Sequence, residues 1–284
     1  YDPCRYIIGR GVLEALGIDF DLQPQDVAGR GNFCTVDQEG RVTDRRAGRI
    51  STEKNAELVG LLREKIKLPG VELFIETVKE HRFVLVLRGD GLAGDLTESD
   101  PQQLGVSPLP IRPLEDAPEP AASQKTADLV NDFIAQVQKV LVDQHPANMV
   151  LLRGLDKRPV IPSMREVFGL RAAAIAVYPM YRGLAKLVGM TALPSGQNLA
   201  DEFSALEQAW PDYDFFYLHF KYPDSRGEDG NFDAKVAMIE EFDAYVPRAL
   251  ALKPDVVVVT GDHSTPAALR IHSWHPVPTM LYSR

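Results

Sequence analysis

The second half of the chain alternates between strand-like and helix-like segments, and this order constrains the fold more than any other feature. Short apolar runs are each followed by a segment whose apolar residues have helical spacing. The last run is four consecutive valines, Val256–Val259, which is the pattern of a strand buried on both faces of a sheet. This alternation predicts an open, mostly parallel α/β sheet flanked by helices, in which ligands bind at the carboxyl ends of the strands.

The region from residue 26 to residue 88 has a different pattern. Two short strand-like segments are followed by the amphipathic segment STEKNAELVGLLREKI, with Ser51 as its predicted N-cap, and then by two further strand-like segments. This order predicts a small α+β unit. The Pro-rich stretch SPLPIRPLEDAPEPAAS comes next and is typical of an interdomain linker.

Composition and charge argue against several classes of protein. Of the 284 residues, 45% are hydrophobic and 25% are charged, as in a soluble globular chain with a sizeable core. The formal net charge of −9 and the lack of a basic run argue against nucleic-acid binding. No apolar stretch is long enough for a membrane span. The two cysteines, Cys4 and Cys34, lack metal-ligand spacing, which suits a reducing cytoplasm.

Acidic and imidazole side chains follow two of the predicted strands. Asp224 and Glu228 come after the segment DFFYLHF, Asp262 and His263 come directly after the valine run, and His272 lies shortly beyond. Mixed carboxylate and imidazole ligands fit Zn²⁺ or Mn²⁺ and suit a two-metal centre. Because these three segments all lie beyond the ends of predicted strands, we predict a metal site at one edge of the sheet.

Plainer interpretations exist for several of these residues. A D-x-x-x-E spacing in a Gly-containing loop is commonly solvated surface, and Ser264 is predicted to begin the next helix. His219, inside an apolar run, is predicted to pack in the core, whereas His81 and His145 are predicted to lie on the surface. His275 precedes a proline, where a packing or capping role is sufficient.

The small unit contains a cluster of arginines in an otherwise acidic protein. Arg45, Arg46 and Arg49 lie within the segment TDRRAGR. Guanidinium groups hold carboxylate and phosphate oxygens in bidentate geometry, although such a cluster is equally compatible with an ordinary surface patch. Arg88 and Arg182 also follow predicted strands and are candidates for anion contacts. An arginine-rich unit beside a metal cleft suggests a small phosphorylated carboxylate as the substrate, bound by domain closure.

Several segments together resemble one enzyme family, the archaeal-type 2,3-bisphosphoglycerate-independent phosphoglycerate mutases of the alkaline phosphatase superfamily. The resemblance runs along the whole chain in the same order and is carried by NFCTVDQEGRVTDRRAGRIST, VLRGDGL, YRGLAKLVGM, HFKYPDSRGEDGNFDAKV, TGDHSTP and HSWHPVP. It implies an alkaline-phosphatase-like sheet with an inserted domain. Residues 1–24 would begin the phosphatase-like domain, 25–113 would form the inserted substrate-binding domain, and 114–284 would form the metal-binding domain.

The resemblance also implies an activity and a location. Members of this family are isomerases, intramolecular phosphotransferases that interconvert 3-phosphoglycerate and 2-phosphoglycerate in the cytoplasm. They work through a phosphoserine enzyme and two divalent metal ions, without 2,3-bisphosphoglycerate as a cofactor. Mn²⁺ is the expected metal, with Mg²⁺, Zn²⁺ and Co²⁺ as alternatives.

The site residues follow from the same resemblance. Asp262 and His263 would bind the metal nearest the nucleophile, and Asp224 and His272 would bind the other. Glu228 stands where many relatives have histidine, and a carboxylate there would favour the harder metals. The substrate-binding residues would be arginines, namely Arg45, Arg46, Arg49 and Arg182.

One expected part of the family pattern has no counterpart in this sequence. The resemblance implies an N-terminal strand with an aspartate ligand and a following loop with the nucleophilic serine, both upstream of YDP. We therefore expect the chain to be the central and C-terminal part of a larger protein and to be inactive alone. A metal-dependent phosphomonoesterase and a non-catalytic binding module are the alternatives, and the oligomeric state is left open.

Overall fold

The computed structural model of the protein describes residues 1–2 and 5–283, which form two compact units, Tyr1–Ile161 and Pro162–Arg284. Residues 114–161, predicted to belong to the larger domain, pack within the first unit. Among the described residues, no helix combines the length and the apolar character that a membrane crossing requires.

The elements of the first unit are α1 (Arg10–Gly17), β1 (Val27–Val36), β2 (Val42–Asp44), α2 (Thr52–Lys65), β3 (Glu72–Lys79), β4 (Arg82–Arg88), α3 (Pro120–Leu141) and β5 (Met149–Lys157). They are built on a five-stranded antiparallel sheet with the order β2-β1-β4-β3, and β5 also pairs with β1. The strands and the helix predicted for residues 26–88 are present. The prediction that β5 belongs to the parallel sheet is wrong, because β5 pairs antiparallel with β1.

The core of the first unit lies between this sheet and helices α2 and α3. Phe33 of β1 and Phe83 of β4 are fully buried with their ring centroids 5.0 Å apart. The Pro-rich stretch, predicted to be a linker, packs against α3, and its residue Ile111 is buried. The side-chain amide of Asn131 on α3 accepts a hydrogen bond from the Ile111 backbone N–H and donates one to the Ile111 carbonyl. Ser51 caps α2 as predicted, because its Oγ accepts from the Lys54 backbone amide.

The second unit contains the predicted alternation of strands and helices. Its elements are α4 (Met164–Phe168), β6 (Ala172–Ala176), α5 (Pro179–Leu187), β7 (Thr191–Ala192), α6 (Leu199–Ala209), β8 (Phe215–His219), α7 (Tyr222–Glu228), α8 (Phe232–Ala251), β9 (Val256–Val259) and β10 (Met280–Ser283). Three of the strands form a parallel sheet of order β7-β6-β8. Asn198 and Asn231 cap the helices α6 and α8 by accepting from backbone amides.

The valine strand β9 differs from its prediction. Within residues 5–283 it pairs only with β10, in an antiparallel two-stranded sheet, and Val256 and Val258 are 56% and 54% exposed. The prediction of a parallel strand buried on both faces is therefore wrong for this structure. An apolar run predicts an extended strand, but its burial depends on which elements pack against it.

A candidate metal centre in the second unit

Asp224 and Glu228 are positioned by the short helix α7, which follows β8 almost directly. The sequence predicted a loop here, and the structure has a helix with Pro223 in its first turn, where proline is well tolerated. In a helix, residues four apart lie on the same face. The D-x-x-x-E spacing therefore brings the two carboxylates together.

Asp224 is the most enclosed carboxylate of the centre, with its side chain 14% exposed. It accepts a hydrogen bond from Thr265 Oγ1 at 2.5 Å and pairs with Lys221. Burial opposes its ionisation, but the hydrogen bonds from Lys221 and Thr265 and the charge of Lys221 outweigh burial and lower the pKa of Asp224. The group is therefore a carboxylate at neutral pH.

His272 approaches both acidic residues of α7. Its Nε2 atom lies 3.3 Å from Asp224 Oδ1 and 3.7 Å from Glu228 Oε1. Next to His272, Ser273 forms an antiparallel β-bridge with Ser264, in which the Ser273 amide donates to the Ser264 carbonyl at 2.9 Å. Ser264 thus takes part in a bridge, and the prediction that it begins a helix is wrong.

Asp262 and His263 follow β9 and form the other half of the centre. Asp262 Oδ2 accepts a hydrogen bond from the Tyr181 hydroxyl at 2.6 Å and lies 3.4 Å from His263 Nε2. Burial opposes ionisation of Asp262, but the hydrogen bond from the Tyr181 hydroxyl is the main cause that lowers its pKa below the ordinary value. This residue too is a carboxylate at neutral pH.

The two halves meet at the imidazole rings. His263 and His272 stack with centroids 3.8 Å apart and an interplanar angle of 29°. Asp224, His263 and His272 each offer a ligand atom, and these atoms lie within 4.8 Å of one another. Carboxylate oxygens and imidazole nitrogens at this spacing fit Mn²⁺, Zn²⁺ or similar divalent ions. All five predicted metal ligands thus lie in one cluster.

Sequence reasoning missed the residues that support these ligands. Tyr181, on α5, stacks on His219 with centroids 3.6 Å apart. Burial lowers the pKa of His219 to about 4, so the His219 ring is neutral. His219 was predicted to pack in the core, but it is half-buried beside the centre. Thr265 lies two residues after His263, where a Ser-Thr-Pro sequence had suggested only a helix cap.

The arginine cluster lies in the first unit and divides into two kinds of side chain. Arg45 donates to buried Asp100 from Nε at 2.9 Å and from Nη2 at 2.6 Å. Burial opposes ionisation of Asp100, but the hydrogen bonds from Arg45 and the Gln102 amide lower the pKa of this carboxyl group. Arg45 is therefore part of a partly buried ion pair.

Arg46 and Arg49 are exposed and lie near His81. His81 is only 2% exposed, so its predicted surface position is wrong, whereas His145 is exposed as predicted. Burial, followed by the positive charges of nearby arginines, lowers the pKa of His81 to about 3. Positive charge is thus concentrated around one neutral imidazole.

Two other arginines were candidates for anion binding. Arg88 donates two hydrogen bonds to Asp26, both at 2.8 Å, and this pair satisfies a buried carboxylate. Arg182 lies on α5 of the second unit, and its Nη1 donates to the Leu193 carbonyl at 3.1 Å.

The second unit is thus an α/β structure with a carboxylate and imidazole centre suited to divalent ions. The model of the 2,3-bisphosphoglycerate-independent phosphoglycerate mutase family matches residues 1–148. A probable mutase of this kind from Thermus thermophilus is 51% identical over 99% of this chain and 69% of its own length. A probable mutase from Thermotoga neapolitana is 52% identical over the whole chain and 70% of its own length.

Two solved structures are also similar. The cofactor-independent phosphoglycerate mutase of Thermoplasma acidophilum is 28% identical with a TM-score of 0.62, and the match covers all of this chain and 74% of that one. A protein from Pyrococcus horikoshii is 25% identical with a TM-score of 0.77 over all of this chain and 70% of its own. The chain belongs to the family of 2,3-bisphosphoglycerate-independent phosphoglycerate mutases.

Proposed function

We propose that the chain carries the metal-binding and substrate-binding parts of an isomerase that interconverts 3-phosphoglycerate and 2-phosphoglycerate without added 2,3-bisphosphoglycerate. Membership of the family supports the reaction. The observation that carries the proposal is the convergence of three carboxylates and two imidazoles from α7, the end of β9 and the segment around His272.

We assign two ion sites within this cluster. Asp262 and His263 would hold one ion, and Asp224, Glu228 and His272 would hold the other. Two divalent ions, with Mn²⁺ as the first candidate and Mg²⁺, Zn²⁺ and Co²⁺ as alternatives, would favour the deprotonated hydroxyl nucleophile and neutralise charge on the transferred phosphoryl group. The phosphorylated serine of such a mechanism is not assigned to a residue of this chain.

The substrate carboxylate and phosphate would be bound by arginines. Arg46 and Arg49 are exposed and are assigned direct contacts, whereas Arg45 holds this segment through its pair with Asp100 and contributes positive charge. Arg182 is assigned to the phosphoryl group in the second unit. Retention of the glycerate by these arginines is what would distinguish a mutase from a phosphatase, because a released glycerate cannot receive the phosphate again.

We assign the second unit to an alkaline-phosphatase-like domain and the first unit to the domain inserted into it, in a protein of the cytoplasm. The parallel order β7-β6-β8 and the position of the acidic residues after β8 and β9 support the first assignment.

The experiment uses a protein that carries this chain at the full length of its relatives, supplied with Mn²⁺ and 3-phosphoglycerate. We expect 2-phosphoglycerate to form with little inorganic phosphate and without 2,3-bisphosphoglycerate. Inorganic phosphate as the main product would instead establish a phosphomonoesterase. Replacing Arg46 and Arg49 with glutamine should shift the products of an active mutase toward inorganic phosphate.

A further inference from the structure

Thr265 occupies the point where the two halves of the metal centre meet. It is only 3% exposed, although it follows the half-exposed segment that contains His263. Its carbonyl accepts from Lys235 Nζ at 2.6 Å, and a Cβ atom on Gly227 would lie 2.3 Å from that carbonyl oxygen. Close packing against α7 and α8 therefore fixes the backbone that presents the Thr265 hydroxyl.

The hydroxyl contacts one ligand from each half of the centre. Thr265 Oγ1 lies 2.5 Å from Asp224 Oδ1 and 3.1 Å from His263 Nδ1. A carboxylate can only accept hydrogen bonds, and a hydroxyl has one proton to donate. The Thr265 proton is therefore directed to Asp224, and toward His263 the hydroxyl acts as an acceptor.

This proton count determines the tautomer of His263. An acceptor facing Nδ1 requires the proton on Nδ1, which leaves Nε2 of the neutral ring with its lone pair free. Nε2 is the atom that lies 3.4 Å from Asp262 Oδ2. The lone pair is thus presented beside the carboxylate that would share its ion.

We infer that Thr265 is a positioning residue that orients His263 and Asp224 together, so that Nε2 of His263 and the carboxylate of Asp262 form one ion site while Asp224 serves the other. Histidine ligands in metal sites usually donate their second N–H to a carboxylate, a carbonyl or water. Here a single buried hydroxyl accepts that hydrogen bond and donates its own proton to a ligand of the second site. The inference rests on the proposed use of divalent ions by this cluster.

The first experiment measures the tautomer directly in the metal-free chain. Long-range nitrogen–proton correlation spectra of the imidazole rings, recorded at a pH where they are neutral, should place the His263 proton on Nδ1. Thr265→Val removes the hydroxyl at nearly constant shape and should reduce this preference, whereas Thr265→Ser should retain it. The control is Thr260→Val, since Thr260 is exposed and its hydroxyl contacts Thr279 instead of a ligand. A His263 proton on Nε2 in the unaltered chain, or an unchanged spectrum in Thr265→Val, overturns the inference.

The second experiment measures Mn²⁺ affinity by calorimetric titration. Loss of a residue that orients a metal ligand weakens binding by about 10–100-fold, and this is the expected effect of Thr265→Val. Thr265→Ser should retain most of the affinity and Thr260→Val all of it, with circular dichroism reporting the fold of each variant. Equal affinity in Thr265→Val and the unaltered chain overturns the positioning role. The titrations use a protein that carries this chain at the full length of its relatives. If that protein, unaltered, binds no Mn²⁺, the proposed metal function fails, while the tautomer spectra still decide the role of Thr265.

Discussion

Strands β4 and β9 contain similar apolar runs, FVLVL and VVVV, but have opposite degrees of burial. The five residues from Phe83 to Leu87 are fully buried, because β4 has strand neighbours on both edges and helices over the sheet. Val256 and Val258 of β9 are about half exposed, and β9 is paired with β10. An apolar run therefore predicts a strand, whereas the elements that pack around the strand determine how far it is buried.

The carboxylates of the two units differ in a related way. Asp100 and Asp26 in the first unit are each held by two hydrogen bonds from one arginine, so both oxygens are occupied. In the second unit, Asp224 contacts a lysine, a hydroxyl group and His272, and Asp262 contacts the Tyr181 hydroxyl. Among these neighbours, His272 is itself a potential metal ligand. Paired carboxylates stabilise the first unit, and clustered carboxylates form the site of the second.

The largest expected effect concerns the buried strand. Phe83→Ala should lower the free energy of unfolding of the first unit by about 3–5 kcal/mol, because it leaves a cavity beside Phe33. Val258→Ala should change the unfolding free energy of the second unit by less than about 1 kcal/mol. Denaturant unfolding with a spectroscopic probe in each unit tests both variants. A comparable loss in Val258→Ala would show that β9 is buried in solution and would remove the contrast.

The next effect concerns the clustered carboxylates. Asp224→Asn should weaken Mn²⁺ binding by at least about 100-fold, because a charged ligand at the centre is lost. Asp229→Asn is the matched control, since Asp229 is exposed at the end of the same helix and pairs with Arg226. Calorimetric titration of both variants measures the difference. Similar affinities would mean that Asp224 does not hold a metal ion.

A smaller effect is expected for the arginine-paired carboxylates. Arg45→Met should destabilise the first unit by about 2 kcal/mol, because it removes the strongest partner of a buried carboxylate while Arg153 remains 3.7 Å away. Arg171→Met breaks an exposed pair with Asp214 and should leave the unfolding midpoint unchanged. Equal stability of the two variants in urea would contradict the structural role of Arg45.

The smallest effect is a dependence of stability on pH. The pKa of buried His81 is lowered to about 3, so the folded state binds fewer protons than the unfolded state between that value and the ordinary pKa near 6.5. Over about one pH unit below 6.5, the stability of the first unit should therefore fall by at most about 1.4 kcal/mol from this group. His81→Gln should reduce the slope in urea titrations at several pH values. A slope unchanged by the substitution would show that other groups cause it.

Much of the secondary structure and of the candidate site could be predicted from the sequence. Apolar periodicity and caps such as Ser51 predicted most helices and strands, and the acidic and histidine residues after strands predicted the cluster. The helix α7 was missed because a short segment rich in Gly, Pro and Asp is also typical of a loop. The burial of His81 was missed because its sequence neighbours are charged.

By itself, the sequence determined which residue types are present and their local spacing, and this was sufficient for the family, the alternation of elements and the five predicted metal ligands. The tertiary structure decided which groups form hydrogen bonds and ion pairs and which strands are buried. It placed Thr265 between Asp224 and His263, paired Arg45 with Asp100, and left β9 half exposed. The physical reason is that hydrogen bonding and burial depend on contacts between segments far apart in the chain, about which local patterns carry no information.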